Sequence, residues 1–169
     1  MKDIEVRVNK PYPEITGAVD NPMTVAVIKN LASSRTSELT AVLQYTYQSV
    51  LADKTNSEIA DILEEIGIVE MMHLDMLMHA ITEFGGIPKY EDSRGNMFTA
   101  QYVNYTPKLR EMLDNNILAE KRSIEEYEQA INKVKNDSLK DLFRRIIEDE
   151  QRHIEIFKHL LDTVQFLSL

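Results

Sequence analysis

The sequence predicts an all-α fold, four antiparallel helices in one bundle with a single long crossover between the second and third. Three observations predict it. Glycine and proline are scarce, five of each in 169 residues, so turns are few and elements are long. Ala, Leu, Glu, Lys, Gln and Met, all good helix formers, are abundant. Apolar residues recur at three- and four-residue steps through long stretches. The length suits one domain with a self-sufficient core. The expected organisation is an arm over 1–20 and the bundle over 21–169.

Residues 1–20, with Pro11 and Pro13, read as irregular. Asn21-Pro22 is a helix start, an N-cap followed by proline at the first helical position. Helix A is expected from about 22 to 52, with no breaker inside it. Its apolar face is the least tidy, because Ser34 and Arg35 lie near the face of Leu31 and Val42. Asn56-Ser57 opens helix B, which stops near Phe84 before Gly85-Gly86 and Pro88. Its stripe is Leu63, Ile66, Leu74, Leu77 and Ile81. The stretch from about 85 to 105 is the crossover. Thr106-Pro107 is read as the start of helix C, with Leu113, Ile117, Ile124, Tyr127, Ile131 and Val134 inward. Asn136-Asp137 starts helix D, with Phe143, Ile146, Ile147, Ile154, Phe157, Leu160 and Leu161 inward.

Composition removes several function classes. The net charge is −9, and no Lys/Arg cluster forms a basic face, so no nucleic-acid partner is expected. Cysteine is absent, which excludes disulfides, thiolate metal sites and iron–sulfur clusters. Met1-Lys2-Asp3-Ile4-Glu5 shows no apolar signal region. No run of ~18 apolar residues exists, so no membrane span is expected. The expected location is the cytoplasm.

The informative residues break the apolar stripes. Glu120 stands between Ile117 and Ile124, and Glu150 between Ile147 and Ile154. Glu70 shares the face of Ile66 and Leu74; Glu38 shares that of Leu31, Val42 and Tyr45. Four carboxylates on inward faces must protonate or find cations. His73 and His153 follow Glu70 and Glu150 by three residues, so each pair projects from one face. The pattern repeats: Glu38 and Tyr45 are spaced as Glu120 and Tyr127, and Glu70, His73 and His79 as Glu150, His153 and His159. His79 and His159 lie about 120° from the inward side and are expected at the surface. Glu64, Glu65, Glu125, Glu126 and Glu148 flank the stripes and read as solvated.

Two Glu-x-x-His pairs plus a lone glutamate on each remaining helix resemble the ligand pattern of di-iron and di-manganese carboxylate bundles. The chain thereby resembles the ferritin-like superfamily. Ser37-Glu38-Leu39-Thr40-Ala41-Val42-Leu43-Gln44-Tyr45 is similar to helix A of bacterioferritin and manganese catalase. Glu70-Met71-Met72-His73 and Glu150-Gln151-Arg152-His153 resemble the paired motifs of bacterioferritin and rubrerythrin. Ile4-Glu5-Val6-Arg7-Val8, Phe98-Thr99-Ala100-Gln101-Tyr102 and Leu118-Ala119-Glu120-Lys121 resemble stretches of manganese catalase. The resemblance implies a ferritin-like bundle and a metal set of Glu38, Glu70, His73, Glu120, Glu150 and His153. Glu70 and Glu150 would bridge two iron or manganese ions. Asp149 resembles an acid that orients the opposite histidine, and its counterpart in the other half is Val69. Ser123 stands where rubrerythrin carries a further glutamate.

The expected function is reaction with O2 or H2O2: peroxide reduction, peroxide dismutation or ferrous oxidation, as a metal-dependent oxidoreductase. Tyr45 and Tyr127 are its candidate catalytic residues, as hydrogen-bond donors to ligands or as one-electron donors. An iron peroxidase would need a separate electron donor. Met71 stands where bacterioferritin has its haem-ligating methionine; haem is an alternative the reading does not favour. Only 19 residues follow Glu150, too few for the fifth helix of the bacterioferritin cage, so a small homo-oligomer is expected, a dimer favoured over a cage. The alternative function is a non-catalytic metal-binding or coat-like structural protein of the same fold.

Overall fold

A computed structural model describes the backbone of residues 4–167 and the side chains of 4–164; Met1, Lys2 and Asp3 of the arm lie outside the described residues. The elements in order are α1 (Pro22–Ser33), α2 (Glu38–Ala52), α3 (Ser57–Glu83), α4 (Leu109–Lys133) and α5 (Asp137–Leu167). One short 3-10 turn, Ala100–Tyr102, interrupts the crossover. The result is the four-helix bundle with one crossover, its first helix divided into α1 and α2.

Capping residues set the starts. Asn21 accepts the Thr24 N–H at 3.1 Å, Asn56 that of Ile59 at 3.1 Å, and Asn136 that of Leu139 at 2.9 Å. The end of α3 is set by Gly85 at φ +79, with Gly86 N–H on the Ile81 carbonyl at 2.8 Å and Gly85 N–H on that of Thr82 at 3.0 Å. This double bond pattern needs the left-handed conformation that glycine takes without strain. A side chain at Gly85 would also collide with Asp20.

Two expectations need correction. Helix A is not continuous from 22 to 52; it breaks at Ser34–Ser37. Ser34 donates its hydroxyl to the Thr36 carbonyl at 3.1 Å, and Ser37 becomes a new N-cap, accepting from Thr40 N–H at 3.3 Å. Four hydroxyl-bearing residues in five positions compete with the helix for backbone partners. Helix C does not open at Thr106-Pro107 but at Leu109. Thr106 instead uses its N–H on the Asn104 side chain at 2.9 Å and its hydroxyl on Glu111 at 3.1 Å.

The core is in two parts. One gathers Ile28, Leu77, Ile81, Tyr127, Phe143 and Ile146. The other gathers Ile59, Leu63, Ile66, Leu113, Phe157 and Leu160. Between them, at the middle of the long helices, lies a layer of buried polar groups.

Candidate metal centre

Glu38, Glu70, His73, Glu120, Glu150 and His153 meet in that layer, and all six are buried. Each comes from an inward stripe position, so helix packing alone brings them together. They form two overlapping groups: Glu38, Glu70, His73 and Glu150, and Glu70, Glu120, Glu150 and His153. Within each group one donor atom per residue lies within 4.8 Å of the others. Glu70 and Glu150 belong to both groups. His73 Nδ1 is 3.1 Å from Glu70, 3.7 Å from Glu38 and 3.8 Å from Glu150. His153 Nδ1 is 2.9 Å from Glu70, 3.2 Å from Glu150 and 3.7 Å from Glu120.

Crowding acids in a buried layer makes them resist ionisation. Burial, then the neighbouring Glu70 charge, pushes Glu38 up to about 8. Burial and the charges of Glu70, Glu120 and Glu38 hold Glu150 well above the usual range. Burial works against ionised Glu70 too, but His153 and His73 outweigh it and hold Glu70 below the ordinary carboxylate value. Burial opposes the charged forms of both histidines. Asp149, Glu38 and Glu70 nevertheless raise His73, and Glu70, Glu120 and Glu150 raise His153. A metal-free layer therefore holds protons where cations would sit. The donor set, hard carboxylate oxygens with two imidazoles, fits iron or manganese. Two divalent ions would balance the four carboxylates.

The tyrosines brace the layer crosswise. Tyr45 on α2 donates to Glu120 on α4, and Tyr127 on α4 donates to Glu38 on α2. Neither bonds the glutamate of its own helix. Both phenols are fully buried, and burial with the facing carboxylates raises their pKa values well above 10.0. Ser123, placed near the layer by α4, donates to Glu150 at 3.4 Å.

Of the groups around the cluster, Asp149 was legible in the sequence and most of the others were not. Asp149 does reach the opposite histidine, 3.1 Å from His73 Nε2. The arm completes its shell: the Val8 N–H donates to Asp149 at 2.8 Å and the Tyr12 hydroxyl at 2.7 Å. Arg145, one turn before Asp149, pairs with it at 2.8 Å. Beside the cluster, Gln44, Gln48 and Asn116 form a buried amide group. Both glutamines donate to the Asn116 carbonyl oxygen at 3.0 Å, and the Asn116 amide donates back to Gln48 at 2.6 Å. The only sequence signal was helical spacing: Asn116 precedes Glu120 by one turn, and Gln44 and Gln48 are one turn apart. His79, His159 and Met71 are exposed and take no part in the cluster.

Fold and site together define a class, the ferritin-like bundle with a carboxylate–histidine layer suited to two metal ions. More narrowly, the chain belongs to the rubrerythrin family, whose pattern residues 29–161 match. It is 33% identical over 138 residues to a bacterioferritin of Desulfovibrio desulfuricans, covering 79% of this chain and 73% of that one. Its fold superimposes on a manganese catalase from Anabaena with a TM-score of 0.85 and 26% identity, over 94% of this chain and 80% of that one. The bacterioferritin structure from Desulfovibrio desulfuricans, described with a diiron site, gives 0.70 and 27% over 85% of this chain and 81% of that one.

Proposed function

We propose that the protein is an oxidoreductase that holds two iron or manganese ions and reacts with a small oxidant, H2O2 or O2. The observation that carries this reading is the pair of overlapping donor groups sharing Glu70 and Glu150. Glu38 and His73 would hold one ion and Glu120 and His153 the other, with Glu70 and Glu150 common to both groups. Two adjacent redox ions supply a two-electron change.

The chain's own residues provide access and orientation. A cavity of about 360 Å³ is lined by Glu38, Tyr45, Glu70, Glu120 and Glu150 and, at the surface, by Arg35 and Arg122. It joins the buried acids to solvent and is wide enough to admit H2O2 or O2. Tyr45 and Tyr127 fix the orientation of Glu120 and Glu38.

Within this reading, peroxide dismutation is preferred, supported by the likeness to the Anabaena manganese catalase over 94% of the chain. Dismutation uses peroxide as both oxidant and reductant, so no electron donor is needed. The iron-dependent reading, ferrous oxidation or peroxide reduction, is supported by the 33% identity to a bacterioferritin. Metal analysis and peroxide consumption after separate reconstitution with iron and manganese test the reading. About two ions per chain and O2 release from peroxide by the manganese form are expected. Glu120→Ala should remove at least one ion and the activity. Two bound ions with no turnover in either form would leave a metal-binding structural protein instead.

A further inference from the structure

The six donor residues repeat between the two halves of the chain, but the surroundings of the two imidazoles do not. His73 Nε2 faces Asp149 Oδ2 at 3.1 Å, with the Tyr12 hydroxyl at 3.4 Å. Asp149 is itself held on both oxygens. Its Oδ1 accepts the Val8 N–H at 2.8 Å and pairs with Arg145 at 2.8 Å, and its Oδ2 also accepts the Tyr12 hydroxyl at 2.7 Å. Arg145 returns to the arm, donating to the Val8 carbonyl at 2.7 Å and lying over the Tyr12 ring at 4.5 Å. Arm, Arg145 and Asp149 therefore close around the outer nitrogen of His73.

His153 has no such shell. Its Nε2 is buried, and no hydrogen-bonding group among the described residues reaches it. Asp149 precedes Glu150, so the repeat puts the corresponding partner for His153 directly before Glu70. That residue is Val69, which is buried and offers no acceptor.

Both Nδ1 atoms face the carboxylates. An imidazole that binds a metal through Nδ1 must carry its remaining proton on Nε2. On His73 that N–H has an anionic acceptor, which fixes the ring and raises its basicity. On His153 the N–H is stranded. Loss of such an outer partner typically weakens metal binding 10- to 100-fold.

We propose that the two metal positions are inequivalent. The Glu38–His73 position binds tightly and fills first; the Glu120–His153 position binds weakly and exchanges. Asp149, backed by Arg145, Val8 and Tyr12, is the positioning residue that sets the difference. This inference rests on the dinuclear reading above.

The test is titration of the metal-free full chain with Mn2+, followed by electron paramagnetic resonance and equilibrium dialysis. The first equivalent should give the six-line spectrum of isolated Mn2+, with the coupled-pair spectrum growing only during the second. The two dissociation constants should differ by about 10- to 100-fold. Val69→Asn, close in size and bringing an acceptor, should tighten the second step alone. Asp149→Asn should weaken the first step alone. Thermal melting checks that each variant is folded. A coupled-pair spectrum in constant proportion at every loading would overturn the proposal. So would folded variants that leave both steps unchanged, and Asp149→Asn decides the matter if Val69→Asn does not fold. Failure to take up any ion would overturn the dinuclear reading itself, and this inference with it.

Discussion

Tyr45 and Tyr127 each reach across the bundle to a glutamate of the other half of the chain. Periodicity placed both phenols on inward faces, but it could not name their partners, because those are set by how α2 and α4 pack. The bonds are buried, so losing one is not made good by water. With metal bound, the accepting carboxylate is charged, and such a bond contributes about 1.5–3 kcal/mol. Tyr127→Phe keeps the ring that packs on Phe143 and removes only the hydroxyl. Thermal melting of the metal-loaded variant should show a loss of that size, while metal analysis still finds both ions. An unchanged melting temperature would show that the phenol does not brace Glu38.

The broken first helix has a functional consequence at the level of the element. The interruption makes Glu38 the first residue of α2, directly after the Ser37 cap. A helix start carries partial positive charge and free N–H groups, which favours a carboxylate there. The break thus fixes where Glu38 enters the layer, and it opens the wall of the cavity at Arg35, Thr36 and Ser37. No glycine or proline stands between residues 23 and 52, so the sequence reads as one continuous helix. The untidy face at Ser34 and Arg35 and the run of hydroxyls were the signal present. Ser37→Ala should destabilise the protein by about 1 kcal/mol, the usual cost of losing such a cap. It should also weaken metal binding, because Glu38 moves with the frayed end. Chemical denaturation and metal titration of the variant measure both, and equal affinity in the two proteins would separate the cap from the site.

For the whole molecule, the buried layer ties stability to pH and to metal. Glu38 rises from 4.5 to about 8 in the metal-free fold, and Glu150 rises as well. A carboxyl that binds its proton more tightly in the fold stabilises it below the unfolded value of ~4.3 and loses that contribution as pH climbs toward the folded value. His73 and His153, also raised, contribute fully below ~6.5 and lose their contribution as pH rises through their folded values. Glu70 and Asp149 are lowered; their contribution is present above ~4 and is lost only in stronger acid. Between pH 5 and 8 the metal-free protein should therefore melt at progressively lower temperature. Bound metal reverses the sign, because ligation requires the deprotonated forms. The metal-loaded protein should lose stability as pH falls. At free metal 100-fold above its dissociation constant, binding adds about 2.7 kcal/mol. Melting both forms across this range tests the claim, and parallel curves would mean that these acids are not a buried metal layer.

The sequence by itself determined the all-helical fold, the caps at Asn21, Asn56 and Asn136, and the convergence of Glu38, Glu70, His73, Glu120, Glu150 and His153. Each of these follows from spacings within one helix, where residues three and four apart share a face and an N-cap reaches three residues ahead. The register of the repeat then carried four such faces to one level. Only the tertiary structure decided what surrounds that level. Tyr12 and Val8 meet Asp149 across 137 and 141 residues, and Gln44 meets Asn116 across 72. Contacts at that separation leave no periodic trace in a single chain. The same limit separates the two histidines: their motifs are alike in sequence, but the arm closes over His73 and nothing among the described residues reaches the outer nitrogen of His153.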